Sequence, residues 1–223
     1  MEQCDAGFCD MVVGDANRKA AEAAKLVAAG SVAHIMNPFF VMGEGGSGKA
    51  KLLSAIAENV KARNDGRKVL ALSCFNIEDL YIKALEESKV DAFRDMIKEA
   101  DFLIIDDFEE LHNCSTIQAE LLRAIDGFIK ADKQVVIATE ELRYLLDHSL
   151  LNKKLANRLC SGLWEKLSIP DFDMRRSIVR HIATSYGVTF SESEIMQIAS
   201  EGKKNLWHLS GTINKALFNH RKR

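Results

Sequence analysis

The residues best suited to chemistry in this sequence sit between an apolar run and an amphipathic one. Phe39-Phe40-Val41-Met42 leads into Gly43-Glu44-Gly45-Gly46-Ser47-Gly48-Lys49, and Lys49 opens a stretch of helical periodicity. This is G-x-x-x-x-G-K in the strand–loop–helix setting that makes it a phosphate loop. Its glycines let successive backbone N–H groups turn toward phosphate oxygens, the helix N-terminus adds its dipole, and Lys49 supplies a point charge for the β- and γ-phosphates. The expected nucleotide-binding set here is Gly43, Gly45, Gly46, Ser47, Gly48, Lys49, Ala50 and Lys51, with ATP or ADP as ligand. Ala50 stands where the motif carries Ser or Thr, whose hydroxyl ligates Mg²⁺, so metal binding and hydrolysis are weakened or lost.

Two further apolar runs end in polar groups. Phe102-Leu103-Ile104-Ile105 is followed by Asp106 and Asp107; Asp106 suits coordination of a metal-bound water and Asp107 suits polarising an attacking water. Val135-Val136-Ile137-Ala138 is followed by Thr139 and Glu140, either of which can sense a γ-phosphate or orient water, or merely cap the strand. Leu151 to Leu163 reads as a basic helix with Lys154 and Arg158 one turn apart. Such a cation can complete a neighbouring subunit's phosphate site, or face solvent.

The elements that must position these groups follow from the pattern. Strand-length runs at Phe39–Met42, Val69–Leu72, Phe102–Ile105, Val135–Ala138 and, more weakly, Leu167–Ile169 alternate with helical stretches at Lys49–Arg63, Ile77–Leu85, Asp91–Ala100, Ile117–Ala131 and Leu151–Cys160. The expected fold is α/β, a parallel five-stranded sheet flanked by helices. After Pro170 the periodicity is helical only, punctuated at Gly187, Gly202 and Gly211. The expected division is therefore a nucleotide-binding core over 1–170 and a small all-helical lid over 171–223.

Composition narrows the class. With 223 residues, 47% hydrophobic, 28% charged and only 2 Pro, the chain can bury a sizeable core and is neither fibrous nor disordered. No apolar run approaches the ~20 residues that span a bilayer, and no secretory signal opens the chain, so a cytoplasmic protein with no membrane partner is expected. Cys4, Cys9, Cys74, Cys114 and Cys160 are irregularly spaced with no CxxC, and read as reduced. Residues 151–223 carry 13 Lys+Arg against 6 Asp+Glu, a basic third on an acidic body, which suits contact with nucleic acid or with an acidic partner subunit.

Taken in order, these motifs resemble the AAA+ ATPase domain of the DnaA replication-initiator family, including DnaA-like regulators of the Hda type. The likeness runs from about Phe8 to Leu217. Phe8 to Asn17 is similar to the family's opening F-x-x-F-V-x-G-x-x-N, which implies that Val12, Val13 and Asn17 lie against the base. Asn37-Pro38-Phe39-Phe40 resembles N-P-L-F, and Ile104-Ile105-Asp106-Asp107 resembles L-I-D-D. Asn152 to Leu163 resembles box VII, which puts Arg158 at the arginine-finger position. Ile77 to Lys98 resembles the initiator-specific helical pair, implying contact with single-stranded DNA through Ile82, Lys83 and Lys98, whereas the bare sequence reads as an amphipathic hairpin with solvated lysines.

The resemblance implies assembly with other AAA+ subunits, of the same chain or DnaA-like, in replication initiation or its regulation. The departures are specific. Besides Ala50, Trp207 stands where the family's sensor-II arginine reaches the γ-phosphate, and an indole brings no charge. Lys154 replaces box VII's first arginine. No clamp-binding peptide of the Hda type opens the chain, and no helix-turn-helix precedes Arg223, as in a one-domain relative or a piece of a longer protein. Two functions are open: an ATP/ADP-dependent assembly switch with Asp107, Arg158 and Thr139 as its reactive groups and weak turnover at most, or a degenerate AAA+ scaffold whose nucleotide is structural or absent. A helicase loader of the DnaC type is a third.

Overall fold

A computed structural model of the chain describes residues 6–30, 35–111, 114–140 and 151–220. Strands β1 (Phe39–Met42), β2 (Val69–Ser73), β3 (Phe102–Asp106), β4 (Gln134–Thr139) and β5 (Leu163–Lys166) form one sheet in the order β2-β3-β4-β1-β5, with every pairing parallel. Side chains alternate between faces along a strand, and both faces are apolar. Phe40, Leu103, Ile105, Val135 and Ile137 belong to one buried cluster, and Phe39, Val41, Phe102, Ile104, Val136 and Ala138 to the other. Each large side chain so buried contributes roughly 1.5–3 kcal/mol. The near-continuous apolar runs in the sequence are the consequence of covering a parallel sheet on both sides.

The first face is covered by α3 (Cys74–Glu86), α4 (Val90–Lys98), α5 (Ser115–Lys130) and α6 (Lys153–Leu159), the second by α1 (Arg18–Ala29) and α2 (Lys49–Ala62). Helix α1 has no counterpart among the expected helices. Its buried face is Ala20, Ala21, Ala23, Ala24, Val27 and Ala28, and alanines pack closely on α2 while giving little hydrophobic periodicity to read. The fifth strand also falls earlier than expected, at Leu163–Lys166 instead of Leu167–Ile169. As an edge strand beside β1 it is only half-buried: Trp164 stacks on Phe40 with centroids 5.1 Å apart on one face, Leu163 packs against the apolar cluster of the other, and Glu165 and Lys166 are polar. Gly162 is required before it, because a Cβ there would lie 1.8 Å from the Pro38 carbonyl oxygen.

Register sets the functional rim. Met42 pairs with Thr139 and Ile105 with Ile137, so the carboxyl ends of β1, β3 and β4 finish side by side. The Gly43 N–H donates to the Thr139 carbonyl at 3.1 Å, fixing the start of the phosphate loop on β4.

Beyond β5 the described residues hold helices only: α7 (Phe172–Ser185), α8 (Glu192–Glu201) and α9 (Leu206–His220). Asp171 caps α7 through the Met174 N–H, and Ser191 with Glu194 makes a reciprocal capping box on α8. The three share an apolar cluster of Val179, Ala183, Ile195, Ile198, Leu209, Ile213 and Leu217. Gly211, expected as punctuation, lies inside α9 with open space around it; a helix interior tolerates glycine at a cost of about 1 kcal/mol. Cys74, Cys114 and Cys160 are free thiols, but Cys9 is disulfide-bonded, against the expectation that all were reduced. Cys4 lies outside the described residues.

Candidate nucleotide site

The phosphate loop is held by contacts on every side. Gly48 caps α2 with φ 106°, and Gly46 has φ 76°, backbone conformations that glycine enters without steric penalty. Lys49 is buried, and its Nζ donates to the Gly43 carbonyl at 2.6 Å while lying 3.8 Å from Glu140 Oε1. Ser47 Oγ is buried with no hydrogen-bond partner among the described residues. A sealed hydroxyl without a partner, inside a loop of left-handed glycines at a helix N-terminus, fits an anion that would take its hydrogen bond.

A cavity of about 580 Å³ opens beside the loop. Val12, Asn17, Ser47, Gly48 and Lys51 line it together with Met174, Ile178, His181 and Tyr186 of the helical region. Asn17 shapes the opening segment, its Nδ2 donating to the Val12 carbonyl at 3.0 Å and its Oδ1 accepting from the Gly14 N–H at 2.9 Å. Val13 is exposed and is not one of the walls. The cavity's helical wall was not picked out as a site from the sequence, although Met174, Ile178 and Ile182 recur at four-residue spacing on one face of α7.

The start of α9 closes on the loop directly. The Leu206 N–H donates to the Gly46 carbonyl at 2.9 Å, and Asn205 Nδ2 reaches the Gly45 carbonyl at 3.4 Å. Trp207 is largely exposed, yet its ring edge would touch a Cβ placed on Gly45 at 3.0 Å. Trp207 thus sets an uncharged ring at the mouth of the loop.

On the other side of Lys49 lies a carboxylate group. Asp106 and Asp107 line a hollow that also includes Ala50, Ser73 and Asn76. Burial pushes the Asp106 carboxyl above the usual range; the Asp107 N–H opposes this, the Asp107 and Glu109 charges add to it, and Lys49 opposes it. Asp107 has φ 52° and its N–H donates to Asp106 Oδ1 at 2.9 Å. This donor set fits Mg²⁺ incompletely: carboxylates are present, but Ala50 presents only a methyl toward the hollow that they share. Among the described residues no cluster of three or more His, Cys, Asp or Glu is arranged to hold a metal ion. Thr139 is fully buried and its hydroxyl donates to Glu109 at 2.7 Å, while the Glu140 N–H donates to the same carboxylate at 3.1 Å. Of Thr139, which ends β4, and Glu140, which follows it, Glu140 is therefore the one that lies beside Lys49. The role of Glu109 was not read from the sequence; acidic residues after a strand carry no signal of their own.

Arg158, on α6, donates from Nε to Asp126 of α5 at 2.5 Å and is half-exposed. Lys83 pairs with Asp79 at 2.7 Å and Lys98 with Asp95 at 3.1 Å, both on the solvent side of the α3–α4 hairpin. Ile82 is exposed there. Tyr81 and Phe93 pack edge to face at 5.4 Å and hold the two helices together.

A parallel α/β sheet with a phosphate loop after its inner strand β1, acidic residues at the end of β3 and a helical C-terminal region contacting the loop define a P-loop module of the AAA+ type. The family described as the bacterial DnaA ATPase domain matches residues 3–166, and the chain belongs to that family. It is 29% identical over 208 residues to the chromosomal replication initiator protein DnaA of Methylacidiphilum infernorum, spanning 93% of this chain and 45% of that protein. The chain thus covers under half of such relatives. Domain III of the Thermotoga maritima replication initiation protein DnaA superposes with a TM-score of 0.89 at 29% identity, covering 96% of this chain and 88% of that one. A replication initiator DnaA bound to AMPPCP and single-stranded DNA shares the fold, with a TM-score of 0.83, 24% identity, and coverage of 93% and 63%. No helix among the described residues is long and apolar enough to cross a membrane.

Proposed function

We propose that this chain is a nucleotide-responsive assembly module acting in replication initiation or its regulation, with weak or absent ATP hydrolysis. The observation that carries the reading is the loop itself: a buried Lys49, a Ser47 hydroxyl with no partner among the described residues, and left-handed glycines open onto a cavity walled by the opening segment and by α7. In this reading Gly43 to Lys51 hold the phosphates, with Val12 and Asn17 on the base side; Val13, exposed and outside the cavity wall, is left out of the set. Residues 1–170 act as the nucleotide-binding core and 171–223 as its lid. Asp106 would hold a metal-bound water and Asp107 would orient the attacking one, with Thr139 positioning Glu109 beside them. Bound Mg²⁺ would neutralise β- and γ-oxygens, and Ala50 weakens its hold. Arg158 must leave Asp126 to meet a neighbour's phosphate, so assembly exchanges one ion pair for another.

Binding to single-stranded DNA through Ile82, Lys83 and Lys98 is a further part of the proposal. It is supported by the exposed hairpin face and by the relative that was solved with both AMPPCP and single-stranded DNA. The scaffold reading has its own support: Ala50, Trp207 and the existing Lys49–Glu140 pair each reduce the demand for a triphosphate. Titration of ATP and ADP with and without Mg²⁺, alongside turnover, separates the two. Micromolar or tighter binding with slow turnover supports the switch. Absence of binding supports the scaffold.

A further inference from the structure

Between α4 and α5 lies a groove of about 480 Å³ that shares no residue with the nucleotide cavity. Its floor is apolar: Phe93 and Ile97 from α4, Ala124, Gly127 and Phe128 from α5, and Ala131 just beyond it. Ion pairs fix its two walls. Arg94 of α4 donates to both oxygens of Glu120 on α5, from Nε at 3.0 Å and from Nη2 at 2.7 Å. Lys133 Nζ closes one end by donating to the Lys98 and Ala100 carbonyls at 2.7 and 2.9 Å. Gly127 lies inside α5 and is exposed, and a Cβ placed on it would meet nothing within 4 Å. Glycine weakens a helix interior relative to alanine, but it lets another chain approach the helix backbone closely.

The charge around this floor is unbalanced. Four cations, Arg94, Lys98, Arg123 and Lys133, line the groove against two carboxylates, Asp91 and Glu120. Glu120 serves two guanidiniums at once, Arg94 and, at 3.3 Å, Arg123. Asp91 pairs with Arg94, Asp95 with Lys98, and Asp101 lies 3.7 Å from Lys133. The Lys98–Asp95 pair is exposed on both sides, so an incoming carboxylate replaces it at little cost. We propose that this groove docks an amphipathic helical segment of a partner protein, with leucine-like residues on one face and carboxylates beside them. The groove follows α5 from Glu120 to Ala131, about 16 Å at 1.5 Å per residue, or three helical turns. Two neighbouring helices offer the ridges between which a third packs. Single-stranded DNA fits less well, because Phe93 and Phe128 are buried and offer no ring face on which a base would stack.

The test is fluorescence anisotropy of the whole chain with a labelled, end-blocked model peptide of about twelve residues, leucines at helical spacing and glutamates between them. Wild type should bind it saturably, with a dissociation constant on the order of 100 μM or tighter. Gly127→Leu fills the groove without meeting a neighbour, so it should melt no lower than wild type while weakening the peptide at least about tenfold. Arg123→Glu, at an exposed rim position, should weaken it about as much and keeps the test intact if the leucine variant fails to fold. Lys25→Glu, the same charge change on the exposed side of α1, should move affinity by less than about threefold. Raising the salt from about 0.05 to 0.5 M should weaken wild-type binding. The proposal is overturned by absence of wild-type binding, by affinity indifferent to both groove variants, or by equal binding of the peptide with lysines in place of glutamates. It is also overturned if an oligothymidylate displaces the peptide and loses its own binding in the same variants, which would make the groove a nucleic-acid site.

Discussion

Ala50 and Asp106 share one hollow, and their chemistry is mismatched. Restoring the hydroxyl by Ala50→Thr supplies the inner-sphere oxygen that Mg²⁺ lacks here, so the ATP affinity of the variant should depend on Mg²⁺ more steeply than that of wild type. Equal Mg²⁺ dependence in paired titrations would mean that Ala50 is not what limits metal binding. Asp106 carries a cost that can be measured without nucleotide. Its carboxyl is raised, chiefly by burial, so ionisation in the folded state costs stability above that raised value, and the cost vanishes as pH falls below the ordinary value of about 3.9. Asp106→Asn should therefore melt at a higher temperature than wild type near pH 7, with the difference shrinking toward pH 3. A variant that melts lower at neutral pH would show that the carboxylate is held favourably. At this scale the phosphate loop and the two aspartates were legible because strand, glycines and charge occur in an order with a chemical reason. Glu109 and Asp126 were not, because each matters only through a side chain brought to it by the fold, Thr139 and Arg158 respectively.

Among the elements, the inner strands were legible and the edge was not. β1, β3 and β4 are buried on both faces and must be almost wholly apolar, whereas β5 is a half-buried edge strand and reads Leu-Trp-Glu-Lys. Its position depends on Gly162 fitting under the Pro38 carbonyl, a contact between residues far apart in sequence. Gly162→Ala should force β5 away from β1 and cost at least about 2–3 kcal/mol. For a chain of this length that is a fall in melting temperature of roughly 4–12 °C, readable by circular dichroism; an unchanged melt would show that the edge yields freely. Helix α1 escaped notice for a related reason. Alanines fill its contact with α2, and a small-residue face has almost no periodic hydrophobic signature.

For the whole molecule, the helical region's contact with the phosphate loop was the least visible in advance, since it joins Gly45 and Gly46 to Asn205 and Leu206 by two hydrogen bonds. What the sequence did show was a chain acidic through residue 150 and basic after it, a polarity suited to head-to-tail association. Because Arg158 must abandon Asp126, self-association should be modest, promoted by nucleotide and lost in Arg158→Ala, with sedimentation velocity as the readout. Tight oligomers indifferent to both would contradict an arginine acting in trans. Every one of these assembly statements rests on the loop holding a nucleotide, and Lys49 is its only buried cation among the described residues. Direct titration of ADP into wild type and Lys49→Ala is therefore the most searching measurement: the account predicts saturable wild-type binding weakened at least about tenfold by the substitution, and equal affinity in the two proteins would contradict it.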